Sequence, residues 1–435
     1  MIWPITHNWK GGVKETLQFK TEVFWSRDGT EQRRALRTTP RRSVSLDVIA
    51  DGDKRRDMEG LLNAARGGDF HMADPLEFVR TTSALPASAT TFTVASVPAW
   101  LVVGASIALV SRRRVHEVTV ASVSGTTVDL VAPAGVAIAA GAKLHPLVLG
   151  RLSSDARATM VTESIGTLSE QFDVLPTTEP LDEGSPDFGN WYRGREIFMQ
   201  RLNWRTPPRV TFGDGAETVD YGRGRIARIL PLDFTTRSRQ ALHTMRSAAA
   251  VNALKQFFVR QKGQRGDFYT PTWTDDIPMA AVTEGSSTML VPGRGLFDGY
   301  ANDPVYRNIL ILMTSGFYVC RTISSITLSG GNSLLTFDLP WAYDLAPQDV
   351  RRICWMPVSR FAADTLTINW PTAEVAETTV TIMSLLESAP EGPADDLDEL
   401  TAYMISTYGW TFTEDVLCDP LQWAVNVRYP QIASA

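Results

Sequence analysis

One unit occurs twice in this chain. It reads RRSVSLDVIADGDKRRDMEGLLNAARGGDFHMADPLE from Arg41, and RIARILPLDFTTRSRQALHTMRSAAAVNALKQFFVRQKGQRGDFYTPTWTDD over Arg225 to Asp276. Leu46-Asp47 lines up with Leu232-Asp233, Lys54 to Leu62 with the second helical stretch, and Gly68-Asp69-Phe70-His71 with Gly266-Asp267-Phe268-Tyr269. The correspondence runs on. Ser83 to Val94 parallels Val282 to Val291, Ile107 to Val110 parallels Ile309 to Leu312, and Ala142 to Arg151 parallels Asp349 to Arg360. MVTESIGTLSEQFDV and INWPTAEVAETTVTIMSLLE then close the two copies alike. From Val110 to Leu312 the repeat is 202 residues, so only one period fits, and the chain is a duplicated domain rather than a solenoid.

Each unit reads as strand, helix, strand. In the second, Ile226, Ile229, Leu230, Leu232 and Phe234 are spaced close to period two, and Pro231 argues for an edge or a bulge. Thr235 and Thr236 are expected to cap a helix whose Leu242, Met245, Leu254, Phe257 and Phe258 form one stripe, stopped by Gly263 and Gly266. An aromatic strand from Gly266 to Trp273 follows, suited to cover by that helix. Leu46, Phe70, Leu232, Leu242, Phe257, Phe268 and Trp273 are therefore the expected helix–sheet packing residues.

The fold class expected is mainly β with flanking helices (α+β): two tandem β-sandwiches, each with a packed helix and an inserted small β module. The boundaries are a docking segment 1–18; a first domain of 19–79 plus 151–175 around the inserted module 80–150; and a linker 176–194. A second domain of 195–278 plus 361–387 surrounds the module 279–360, and 388–435 is an acidic linker with an aromatic tail. Asp28-Gly29 and Asp214-Gly215 are read as corresponding hairpin turns. The modules differ, with Arg112-Arg113-Arg114 in one and Trp341-Ala342-Tyr343 in the other. That divergence suits different neighbours.

The charge of −6 and pI near 5.5 argue against a dedicated nucleic-acid binder. No run of about 18 apolar residues occurs, and MIWPITHNWK lacks a basic region leading into an apolar core, so a soluble protein made in the cytoplasm is expected. Cys320, Cys354 and Cys418 suit reduced, buried thiols. Arg33, Arg34, Arg37, Arg41 and Arg42 on the basic return strand read as solvated or intermolecularly paired arginines, or as a belt facing acidic protein or DNA phosphates, with Arg33, Arg34, Arg37 and Arg41 expected at a subunit or partner interface. Trp410 and Trp423, in a tail too short for its own core, are placed at such an interface too.

Chemistry is thinly represented. There is no GxxxxGK[ST], GxSxG, HExxH or CxxC, and Gly222-Arg223-Gly224 lacks a third glycine. His7, His71, His116, His145 and His243 have no metal-ligand spacing, and Asp267, Asp275 and Asp276 make no acid/base pair. Trp273 and Tyr269 fit core or interface packing better than sugar stacking. No enzyme activity, metal or cofactor is expected.

SRDGTEQRRALRTTPRRSVSLDV, GQRGDFYTPTWTDD and INWPTAEVAETTVTIMSLLE resemble tail-tip proteins of long-tailed bacteriophages and prophages (distal tail, minor tail and hub-type proteins), over about residues 15–390. The resemblance implies a tail-tube-like β-sandwich with a flanking helix. It implies a virion protein whose rings join the tail tube to the hub or fibres and pass the tape-measure protein and DNA without sequence-specific binding. With two copies per chain, three chains match a six-fold ring, so a homotrimer is favoured and a homohexamer is the alternative. A host-receptor or carbohydrate-binding tail module is the second reading.

Overall fold

The structure is a computed structural model. It describes residues 2–387 apart from 27–28, 66–67, 112–113, 154–157, 176–182 and the single positions 187, 214, 221, 223, 225, 231 and 233. Trp410, Trp423, Cys418 and the rest of the expected tail lie outside the described residues, as do Asp28, Asp214, Pro231 and Asp233.

The first copy runs β1 (Asn8–Gln18), β2 (Thr21–Trp25), β3 (Glu31–Ala35), β4 (Arg41–Asp51), α1 (Gly52–Ala65) and β5 (Phe70–Ala73). It continues with β6 (Val79–Arg80), β7 (Thr91–Thr93), β8 (Ser106–Ser111), β9 (Arg114–Ser124), β10 (Thr127–Leu130), β11 (Lys143–Leu152), β12 (Ala158–Met160) and β13 (Ile165–Val174). A small hairpin of β14 (Trp191–Tyr192) and β15 (Arg195–Glu196) leads into β16 (Arg209–Gly213), β17 (Glu217–Val219), β18 (Ala227–Ile229) and β19 (Thr236–Met245). Next come α2 (Ala248–Arg260), β20 (Phe268–Tyr269), β21 (Thr288–Val291), α3 (Gly295–Tyr300), β22 (Asn308–Met313), β23 (Tyr318–Ser329) and β24 (Asn332–Phe337). The second copy ends with β25 (Val350–Trp355), β26 (Val358–Phe361), β27 (Thr365–Trp370) and β28 (Ala376–Ser384). The chain is mainly β with few helices, and its pairings are antiparallel ladders.

The duplication is visible in the registers. Gln18 faces Arg41 across β1 and β4, and Gly213 faces Thr236 across β16 and β19, so one 195-residue step carries both strands onto their counterparts. The same step takes Val23 opposite Arg33 to Thr218 opposite Arg228, which makes the β2–β3 and β17–β18 hairpins equivalent. β12 and β13 correspond to β27 and β28, with Ala158 facing Leu168 and Ile368 facing Thr378. Even the entries match: Ile2 bridges His71, and Ile197 bridges Tyr269.

Alternation explains why β4 sits at the centre of its copy. Arg42, Val44, Leu46, Val48 and Ala50 are buried on one face, and β1 and β13 take its two edges. The inserted modules have separate cores. One gathers Phe92, Ile107, Leu109, Val120 and Val128, and the other Ile309, Ile311, Leu335, Trp341 and Trp355. The β23–β24 hairpin turns through Gly330 and Gly331 at φ 57° and 83°, a two-residue loop whose positive φ angles glycine adopts at no steric cost.

Several expectations need correction. The second helix starts at Ala248, capped by Ser247, whose Oγ accepts from the Ala250 N–H at 3.2 Å. Thr236 to Met245 is instead strand β19, because β16 and β28 offer it a ladder on both edges and Ala241, His243 and Met245 alternate inward. Leu242 therefore lies half-buried on a strand, off the helix stripe. Ile226, Ile229 and Leu230 are exposed at the β17–β18 hairpin, and Leu232 is half-buried outside any strand, beside Gly29. Leu46 consequently corresponds to Ala241, not to Leu232. Asp214-Gly215 separates β16 from β17, which belong to different ladders, so it is no counterpart of the β2–β3 turn. Residues 1–18, expected as a docking segment, hold β1, with Trp3 in the core against Phe70 and Phe172.

Phe257 sits among Phe198, Phe268 and Phe361, with ring centroids 5.0 to 6.0 Å apart. Phe257→Ala should lower the unfolding free energy by about 3–5 kcal/mol. Leu242→Thr should cost under about 1 kcal/mol, because a half-buried strand position accepts a β-branched residue. Urea unfolding of the two variants checks the assignment: equal, large losses would restore Leu242 to the helix stripe.

Candidate assembly interface

The two copies meet along β1, which has both edges occupied. On one it pairs with β4 of its own copy. On the other it pairs with β27 of the second copy, Val13 facing Trp370 and Gln18 facing Thr365. The ladders of both copies thereby merge into one continuous 17-stranded sheet, and one core cluster takes Val13, Leu17 and Val44 from the first copy with Phe258, Leu366, Ile368 and Trp370 from the second.

Charged groups seat this joint. Glu15 is fully buried; it accepts from Arg42 Nε at 2.7 Å and from Lys255 Nζ of α2 at 2.9 Å, while Arg42 Nη1 reaches Asp74 Oδ2 at 2.7 Å. Burial alone would raise the carboxyl pKa values of Glu15 and Asp74. The cations overcome it, Lys255 and then Arg42 at Glu15 and chiefly Arg42 at Asp74, so both acids lie below their ordinary range.

The β2–β3 hairpin reaches across onto the second copy. Arg33 Nη2 pairs with Asp267 Oδ2 at 3.3 Å, beside Arg195 Nε at 3.1 Å from Oδ1. Glu31 takes a two-pronged grip from Arg360, Nε–Oε2 2.7 Å and Nη2–Oε1 2.9 Å. Asp364 Oδ1 accepts from Thr21 Oγ1 at 2.9 Å and from the Gln264 N–H at 2.9 Å, and Phe19 packs on Phe258 with centroids 5.7 Å apart. Of the arginines expected at an interface, Arg33 thus pairs across the joint. Arg37 donates to the Gln18 carbonyl at 2.9 Å, and Arg34 and Arg41 are exposed. Arg42, read with the basic belt, is instead buried and paired within the chain, and Glu15, Lys255 and Arg360 were not singled out. A charge at an inward position of an alternating strand, as at Glu15 and Arg42, was the available signal.

Several counterparts of these groups are exposed. β16 pairs with β19 alone and β12 with β13 alone among the described residues, leaving each with an unladdered edge. Leu17 is buried, whereas its counterpart Phe212 is 62% exposed, and Val210, at the position of Glu15, is 47% exposed. Trp370 is 4% exposed, and its counterpart Met160 is 47% exposed. Asp69 and Arg151, the counterparts of Asp267 and Arg360, pair only with each other among the contacts seen, Nε–Oδ1 2.8 Å, and are one-third and one-half exposed. Helix α2 buries Val251, Leu254, Phe257 and Phe258, while α1 buries Met58 and leaves Leu61 and Leu62 half covered.

Other expected groups lie elsewhere. Leu46, Phe70, Phe257 and Phe268 share the main core cluster, and Trp273, at φ 60°, packs with Leu202 and Ala241 away from α2. Cys320 and Cys354 are buried, and burial pushes the Cys354 thiol up to about 12. Among the described residues no three His, Cys, Asp or Glu converge as metal ligands, and no helix is long and apolar enough to cross a membrane. No protein-family model matches the chain, and no curated protein matches it in sequence.

Lys255→Met leaves Glu15 buried with one cation fewer and should cost about 3–5 kcal/mol in chemical unfolding. Burial also lowers His7 to about 3 and His243 to about 4, so both rings are neutral in the fold at pH 7. Their unfolded pKa is about 6.5, so the unfolded chain binds the extra protons as pH falls below that. Stability should therefore decline from about pH 6.5 downward, by up to about 1.4 kcal/mol per unit for each ring, and Glu15 and Asp74 add to the loss below about pH 4.5. Guanidinium unfolding at pH 7, 5.5 and 4.5 measures this; a flat profile would mean the rings are not held neutral.

Proposed function

We propose that this chain is a structural component of the tail tip of a long-tailed bacteriophage or prophage, forming a ring that joins the tail tube to the central hub or fibres. The observation that carries the reading is the β1–β27 joint. It makes one chain two consecutive, equivalent positions of a single sheet, and three such chains supply the six positions of a six-fold tube. The resemblance of the hairpin, the Gly266-Asp267-Phe268-Tyr269 strand and the closing strands to tail-tip proteins supplies the setting. In this role the chain acts without catalysis or cofactor. Its partners are its own copies, the tail tube protein, the tape-measure protein and the hub or fibre proteins. DNA passes without base readout, which the net charge of −6 suits.

Light scattering on the purified full chain tests the assembly. The expected mass is three times the 48.0 kDa chain, with ring-shaped particles in electron micrographs and the protein present in purified virions. A monomer at all concentrations, absent from virions, would sink the reading; six chains per ring would retain the ring and discard the pseudo-six-fold trimer.

A further inference from the structure

We infer that the joint inside the chain is repeated between chains, the β16 edge of one copy of this protein pairing antiparallel with the β12 edge of the next. The inference rests on the ring assembly proposed above and names the surface that closes it. Among the described residues, each strand of the internal joint has an equivalent with no ladder on the matching edge. β1 meets β27; the equivalent of β1 is β16 and the equivalent of β27 is β12, and among the described residues both present an unladdered edge, at opposite ends of the same sheet.

Register follows from the internal pairs. Lys14 faces Asn369 and Glu15 faces Ile368. The steps that carry β1 onto β16 and β27 onto β12 turn these pairs into Arg209 opposite Thr159 and Val210 opposite Ala158. The β17–β18 hairpin of one chain then lies over the first copy of its neighbour, as β2–β3 lies over the second copy within the chain. Arg228 takes the place of Arg33 and meets Asp69, the place of Asp267.

The apolar surface is distributed to match. Val210, Phe212, Ile226, Ile229 and Leu230 are exposed at the β16–β18 end, and Met160 and Val161 at the β12 end. Scattered apolar exposure is ordinary, but the counterparts of Val210, Phe212, Ile226 and Met160 in the internal joint are Glu15, Leu17, Glu31 and Trp370, whose side chains are buried. A head-to-tail contact of this kind uses different patches on each chain, so it closes into a ring when the rotation allows. The chemistry also shifts. The position of Glu15 is held by Val210 and that of Glu31 by Ile226, so the contact between chains is more apolar than the one within.

The test places cysteines at Arg209→Cys and Thr159→Cys in the full-length chain and treats it with a short bismaleimide, which adds one thiol to each of its two rings. Lys14→Cys with Asn369→Cys reports the internal joint. Under denaturing electrophoresis the first pair should give a ladder in multiples of the 48.0 kDa chain, the second pair an internally linked monomer, and each single variant no ladder. Phe212→Asp should weaken self-association roughly tenfold or more while leaving the thermal midpoint of the single chain unchanged, since the side chain is exposed there. An oligomer in solution that gives no ladder and tolerates Phe212→Asp would overturn this joint and leave the ring standing. A strict monomer with no ladder would remove both.

Discussion

A strand with hydrogen bonds on both edges is the constraint from which the rest follows. β1 completes its own copy through β4 and begins the next through β27, so the two copies cannot turn independently without breaking a six-residue ladder. The hairpin that follows β1 is thereby carried over the second copy, and α2 is carried over the face of β1. The buried quartet of Glu15, Arg42, Asp74 and Lys255 adds definition more than strength. Desolvating four charges offsets much of their attraction, but only one seating of α2 on β1 satisfies them together.

Much of this was legible in the residues. The duplication showed because modules and closing strands keep their turns and alternation, and their parallels coincide with β8 and β22, with β11 and β25–β26, and with β13 and β28. The helix start was misread for a definite reason. RSRQALHTM carries few β-branched residues, and Leu242 and Met245, three apart, read as one helical turn ahead of Leu254, Phe257 and Phe258. What makes that segment a strand is its two neighbours in the sheet, which no local window contains. The same applies to the interface. Arg33 stood out in a basic strand, but its partner Asp267 is 234 residues away, and nothing local marks Asp267 as more than a turn residue.

The two copies share a backbone and differ in chemistry at matching positions, and the difference has a physical logic. Within one chain the partners of the joint are tethered at high effective concentration, so buried charges that bring little net affinity are tolerated there. A contact that has to form from separate molecules gains more from apolar surface, which is what the equivalent positions Val210, Phe212 and Ile226 present.

β11 crosses from the inserted module into the main sheet as one uninterrupted strand, pairing with β6 and β8 through Lys143 to Pro146 and with β5 and β13 beyond. In the second copy the same path is divided at Met356 and Pro357 between β25 and β26. The first module is thus mounted on a stiff spar and the second on a jointed one. A load applied to the modules is transmitted unequally: the first passes bending straight into its sheet, and the second has a place to yield.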